Sequence, residues 1–169
     1  MNPARILASM TPVFAAALLG ALANMPVSLT GGMLPSPVLS LAPVFFWTLL
    51  RPDLMPPVAV LALGLWEDFL SGGPPGLWAC GFLAAYALAD RQRDTFAGLT
   101  GLGAVVGFAA AMSVAAGVAY FLDAIVYQRL PPPGPLIVQS LVTVILYPPL
   151  GVVLGWVHRG FVGALRHDD

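Results

Sequence analysis

From Met10 to Val157 the chain is a succession of apolar runs, broken only by short turns of glycine, proline and a few charges. That pattern constrains the fold more than any single motif. Each run is 13 to 25 residues long, and a transmembrane helix needs ~20 apolar residues, fewer if it is short or buried. Only 9% of residues are charged, against 59% hydrophobic. A water-soluble domain carries roughly a quarter charged residues, so this chain cannot cover a globule with a polar surface. The expected solvent is lipid, and the expected fold is an all-α compact bundle of about six transmembrane helices in a single domain, residues 1–169.

Turn chemistry sets the boundaries. Met10–Leu29 reads as the first span, ended by the Thr30–Pro37 segment with two glycines and two prolines. Val38–Leu50 is the second, with an earlier start left open, and Arg51-Pro52-Asp53 follows it. Pro56-Pro57 suits the start of a helix, where missing N–H groups cost little, and Val58–Leu70 is the third span. Ser71-Gly72-Gly73-Pro74-Pro75-Gly76 is a tight turn. Leu77–Ala89 is the fourth span, closed by Asp90-Arg91-Gln92-Arg93-Asp94. Gly98–Leu122 is the fifth, Pro131–Pro135 a stiff extended loop, and Leu136–Val157 the sixth.

Charge then orients the bundle. Arginines gather in cytoplasmic loops. With six spans and the N-terminus inside, Arg5, Arg51, Arg91, Arg93, Arg159 and Arg166 are all cytoplasmic and only Arg129 is outside. Both termini are therefore expected in the cytoplasm. The basic Arg5, the apolar run and Ala21-Leu22-Ala23 also resemble a signal peptide. The apolar stretch continues to Leu29, which favours a span over a cleaved leader.

The net charge of −1 gives no case for nucleic-acid binding. Cys80 has no partner cysteine, so cysteine says nothing of redox compartment. His158 and His167 lie towards one end, Glu67, Asp68 and Asp123 towards the other. That separation supports neither a catalytic set nor a zinc site, and no cofactor is expected. The fifth span carries Gly103, Gly107, Ala111, Ala115 and Ala119 at intervals of four, with Asp123 continuing the row. Such a stripe lets helices pack backbone to backbone in lipid. Gly151 and Gly155 form a shorter copy in the sixth span.

The most informative stretch is Gly64-Leu65-Trp66-Glu67-Asp68-Phe69-Leu70-Ser71-Gly72-Gly73-Pro74-Pro75-Gly76. A carboxylate near a span needs a partner, water or a protein-facing position. Gly64 and Asp68 share a helix face, and the turn's exposed amides or Arg129 are candidate donors to Asp68. Here the chain resembles MreD, the rod shape-determining membrane protein family of bacteria. Gly64, Asp68, Ser71-Gly72 and Gly76 follow that family's order. Pro43-Val44-Phe45-Phe46-Trp47 with Arg51-Pro52 resembles its second span, and Tyr147-Pro148 the aromatic-proline step of its last helix. Glu67 lies outside the pattern.

The resemblance implies a non-enzymatic, multi-pass subunit of the inner membrane, serving the cell-elongation (rod) complex, cell shape and lateral peptidoglycan synthesis. It implies MreC as the nearest partner, with MreB, RodA and a class B penicillin-binding transpeptidase in the wider elongasome, and membrane lipid around it. Gly64, Asp68, Gly76, Gly103, Gly107 and Asp123 are the expected structural or partner-binding residues. The alternative is a small-molecule-binding subunit of a membrane transporter, like the substrate-binding subunit of energy-coupling-factor transporters, to which the MreD family is similar in fold.

Overall fold

A computed structural model describes the backbone of residues 3–25, 35–97 and 101–162, and the side chains of 10–25, 35–95 and 101–160. The described residues form seven α-helices and no strand: α1 (Pro3–Ala23), α2 (Leu41–Leu50), α3 (Pro57–Ser71), α4 (Leu77–Arg91), α5 (Arg93–Ala97), α6 (Leu102–Tyr127) and α7 (Pro133–Val157). A short 3-10 turn, Pro52–Leu54, precedes α3, and a π-helical turn, His158–Val162, extends α7.

The expected spans become helices with shifted ends. The first helix starts earlier and stops at Ala23; the part of the expected span from residue 26 to 29 lies outside the described residues, as does 98–100 of the fifth. The second helix begins at Leu41 rather than Val38, because Val38–Ser40 is a turn outside the helix. The charged segment after α4 is itself largely helical, as α5. The proline run is not one extended loop: Pro132 is an extended N-cap and Pro133 opens α7. Proline at the first helical position gives up an N–H that would have been unpaired anyway, so the run divides between loop and helix.

The helices alternate in direction. Asn24, just past the end of α1, Ser40 before α2 and Glu67 in the last turns of α3 meet through hydrogen bonds. The start of α4, the end of α6 and the start of α7 line one cleft nearby. Hence α1, α3 and α6 run towards this acid-bearing end, and α2, α4 and α7 run away from it.

Helix α2 is apolar on all sides and is the centre of the core. Leu41 to Phe45, Trp47 and Thr48 are buried, as expected of a helix without a polar face. The Thr48 hydroxyl returns to the Val44 carbonyl, 2.7 Å away, so it adds no unpaired polar group. Phe45 meets Phe108 of α6 and Tyr147 of α7 edge-on, at ring-centre distances of 5.5 and 5.9 Å. Phe108 and Tyr147 stack at 4.1 Å.

Helix α4 is clasped between α3 and α6 by close backbone contact. A Cβ on Gly64 would fall 2.4 Å from Cα of Ala79, and one on Gly81 would fall 2.8 Å from the carbonyl oxygen of Ala115. Both spacings exclude any side chain, so glycine is what lets these helices touch.

Among the described residues two helices, Leu102–Tyr127 and Pro133–Gly160, are long and apolar enough to cross a membrane. With 10 residues, α2 rises only ~15 Å, about half the hydrocarbon thickness.

Candidate functional site

The acid-bearing end holds the buried carboxylates among the described residues. Helix α3 brings Glu67 and Asp68 to it as adjacent residues, both buried, at 2% and 1% exposure. Because neighbours in a helix diverge by about 100°, the two carboxylates serve different partners.

Asp68 turns to α4. Its carboxylate accepts the amides of Gly76 and Trp78, each at 2.7 Å, and that of Ala79 at 3.3 Å. Gly76 is the N-cap of α4 and has no side chain to satisfy the first-turn amides. A carboxylate from the neighbouring helix takes over that task, where the positive end of the helix dipole favours it. The turn between them makes the geometry reachable: Gly72 and Gly76 take φ of +68° and +107°, values that favour glycine, and the chain reverses within a few residues. Of the two donor sources expected for Asp68, the turn amides are the ones it uses. Arg129 instead sits 5.6 Å from the centre of the Tyr127 ring.

Glu67 turns to α1 and α2. Its carboxylate accepts a short hydrogen bond from the Ser40 hydroxyl and one of 3.0 Å from the Asn24 side-chain amide. Asn24 also donates to the Gly20 carbonyl at 3.0 Å. A Cβ on Gly20 would lie 3.0 Å from the Glu67 carboxylate, so the glycine makes room for it. The Trp66 indole donates to the Ala17 carbonyl at 3.1 Å, giving a second tie to α1. Glu67, outside the family pattern, is thus the joint of three helices. Its signal in sequence was the cost of a carboxylate in an apolar run; its partners are 27 and 43 positions away.

The non-helical stretch before α2 is held by α7. The Val38 amide donates to the Thr143 hydroxyl at 3.0 Å, and the Gln139 amide group donates to the Ser36 carbonyl at 2.6 Å. Beside it a cleft of about 350 Å³ opens between the ends of α4, α6 and α7, walled by Trp78, Tyr120, Asp123, Gln139 and prolines 131, 132 and 135 among others.

The other expected residues divide. Gly107 is buried, together with Ala111, Ala115 and Ala119 of its row. Gly103 and Asp123, at the two ends of the row, are half-buried, and Asp123 faces the cleft rather than a helix interface. The copy in α7 does not pack: nothing lies within 4 Å of a Cβ on Gly151, and only the Arg159 guanidinium approaches one on Gly155. Among the described residues no group of three or more histidine, cysteine or acidic side chains is placed to hold a metal ion.

No family model, curated protein or solved structure matches this chain.

Proposed function

We propose that the chain is a multi-pass membrane subunit of the bacterial cell-elongation complex, of the MreD kind, acting on its partners through lateral helix contacts and short loops rather than through chemistry of its own. The observation that carries this reading is that the residues of the resemblance work as one unit. Gly64 admits α4, Asp68 caps it, and Gly72 and Gly76 reverse the chain between them. The two other matching segments meet in the same core, where Phe45 packs against Tyr147.

In this reading six helices span the inner membrane with both termini cytoplasmic, in keeping with the arginine bias. In it the short α2 crosses together with the non-helical residues 35–40 before it. Irregular backbone at membrane depth is tolerated only where protein buries it and satisfies its polar groups. The Ser36 carbonyl and the Val38 amide are both met by α7 side chains.

A second reading, a small-molecule-binding subunit of a membrane transporter, draws on the cleft beside Asp123. Co-purification of the tagged chain from its native host, followed by mass spectrometry, separates the two. MreC, RodA or a class B transpeptidase is the expected yield. An ATPase coupling module supports the second reading, and neither set would overturn the first.

A further inference from the structure

We propose that the cleft at the acid-bearing end binds a primary ammonium group carried on an apolar or aromatic body. The inference stands apart from the rod-complex reading and gives a ligand class to the cleft on which the second reading draws; it rests on the donors and acceptors in the cleft wall.

Among the described residues the wall is poor in donors. A helix N-terminus ordinarily offers four free amides and attracts anions. Helix α7 begins Pro132-Pro133-Gly134-Pro135, with Pro132 as N-cap. Proline has no N–H, so three of those four positions offer nothing to an anion. Pro131 adds a further wall residue with no amide donor. Two polar side chains have also committed hydrogens within the fold, which leaves the Trp78 indole N–H and one Gln139 amide hydrogen as the side-chain donors among the described residues. The Tyr120 hydroxyl donates to the Pro131 carbonyl at 3.0 Å, and Gln139 donates to the Ser36 carbonyl at 2.6 Å.

What remains is mainly acceptors. The Gln139 carbonyl oxygen and the Tyr120 oxygen lone pairs accept, and the Asp123 carboxylate carries the only charge among the described lining residues. Arg129 is engaged with the Tyr127 ring and does not line the cleft. The cation that would complement Asp123 must therefore come from the ligand. Trp78 and Tyr120 supply aromatic rings, whose faces attract an ammonium, and the remaining lining is mostly apolar. A primary amine donates N–H···O bonds to Asp123 and the neighbouring carbonyl oxygens; a quaternary amine cannot.

Two sources carry this chemistry, an ethanolamine lipid headgroup and a soluble arylalkylamine. Full-length protein in detergent, offered equal amounts of phosphatidylethanolamine, phosphatidylcholine and phosphatidylglycerol, is examined by native mass spectrometry. In parallel, phenethylamine is titrated in phosphatidylcholine nanodiscs and the thermal midpoint followed. The expected result is a preference of about tenfold for phosphatidylethanolamine, or a saturable rise in midpoint with phenethylamine, on the scale of one charge-assisted hydrogen bond. The first outcome assigns a lipid source and the second a soluble one. Asp123→Asn should abolish whichever is seen, while Asp94→Asn at the opposite end leaves it intact. Leu136→Trp fills the cleft without altering the carboxylate and should also displace the ligand, which keeps the test decisive if Asp123→Asn does not fold. Equal retention of the three lipids with no saturable phenethylamine effect overturns the proposal, as does a preference for phosphatidylglycerol.

Discussion

Helices α6 and α7 are nearly equal in length and apolarity, and both carry small residues four apart, yet the molecule uses them oppositely. In the most apolar stretch of α6, 39% of residues are buried; in that of α7, 11% are. The stripe of α6 meets a helix that is itself stripped to glycine at the crossing, Gly81 against Ala115. Gly151 and Gly155 of α7 meet no other helix, and its contacts come from larger or polar residues, Thr143, Tyr147, Gln139 and Leu154 among them. A small-residue stripe is thus half of an interface. It becomes a packing surface only where the partner also gives up its side chain. The outward face of α7 leaves Ile145, Val152, Val153 and Trp156 exposed.

The comparison breaks first at the tightest contact. Gly64→Leu should abolish the folded bundle, because its Cβ alone would sit 2.4 Å from the α4 backbone and overpacking against backbone leaves no rotamer to relax into. Gly151→Leu, with nothing within 4 Å, should change the thermal midpoint hardly at all. A detergent thermal-unfolding assay reads both, and equal loss at the two sites would remove the distinction between the packed glycine of α3 and the open one of α7.

Next comes the α6 stripe itself. Gly107→Leu should lower stability by about 2 kcal/mol or more, since Gly107 is buried. Ala110 is exposed and should accept leucine within about 0.5 kcal/mol. Ala104, although off the register, packs against the core, so it serves less well as a control.

A smaller effect is expected at the cap. Asp68→Ala leaves the amides of Gly76, Trp78 and Ala79 without their acceptor, and the loss of a helix cap costs ~1 kcal/mol in all. Asp68→Asn keeps one oxygen and turns an NH2 group towards an amide donor, so it should fall between wild type and alanine. The same order is expected in a cell-shape complementation assay with expression checked by blot. Full function of both variants would make the cap dispensable.

The smallest effect lies at the opposite end. Arg51 and Asp53 pair at 2.9 Å with side chains 29% and 56% exposed. The Arg51 hydrogen bond holds the Asp53 carboxyl below its ordinary range and raises the guanidinium in turn. A depressed carboxyl stabilises the fold above its unfolded pKa, and that contribution is lost as pH falls through the folded value. Asp53→Asn should therefore cost under about 1 kcal/mol at pH 7, and less at the acid end of a pH series of thermal midpoints. A cost that grows towards low pH would contradict the pairing.

How much of this was legible in sequence follows the range of the interactions. The helices, the glycine reversal and the link between Gly64 and Asp68 were readable because their causes lie within a dozen residues. Turn amides as donors to Asp68 were readable for the same reason. The joint at Glu67 was not, since it joins Asn24 and Ser40 across long separations, and no local pattern announces such partners. Gly81 passed unnoticed because one glycine forms no stripe. The Gly151–Gly155 pair was over-read for the complementary reason, since spacing alone does not say whether another helix lies opposite. The proline run misled because the same residues favour an extended loop and a helix start.

The central structural claim is that one carboxylate from α3 holds the start of α4 on the tightly packed side, while α7 stands apart from that lock. Amide hydrogen exchange by mass spectrometry, comparing wild type with Asp68→Ala in the same detergent, tests it directly. Faster exchange is expected in peptides covering Gly76 to Ala79 of the variant, with those covering Val144 to Trp156 unchanged. Unaltered exchange at the start of α4, or equal acceleration along α7, would contradict it.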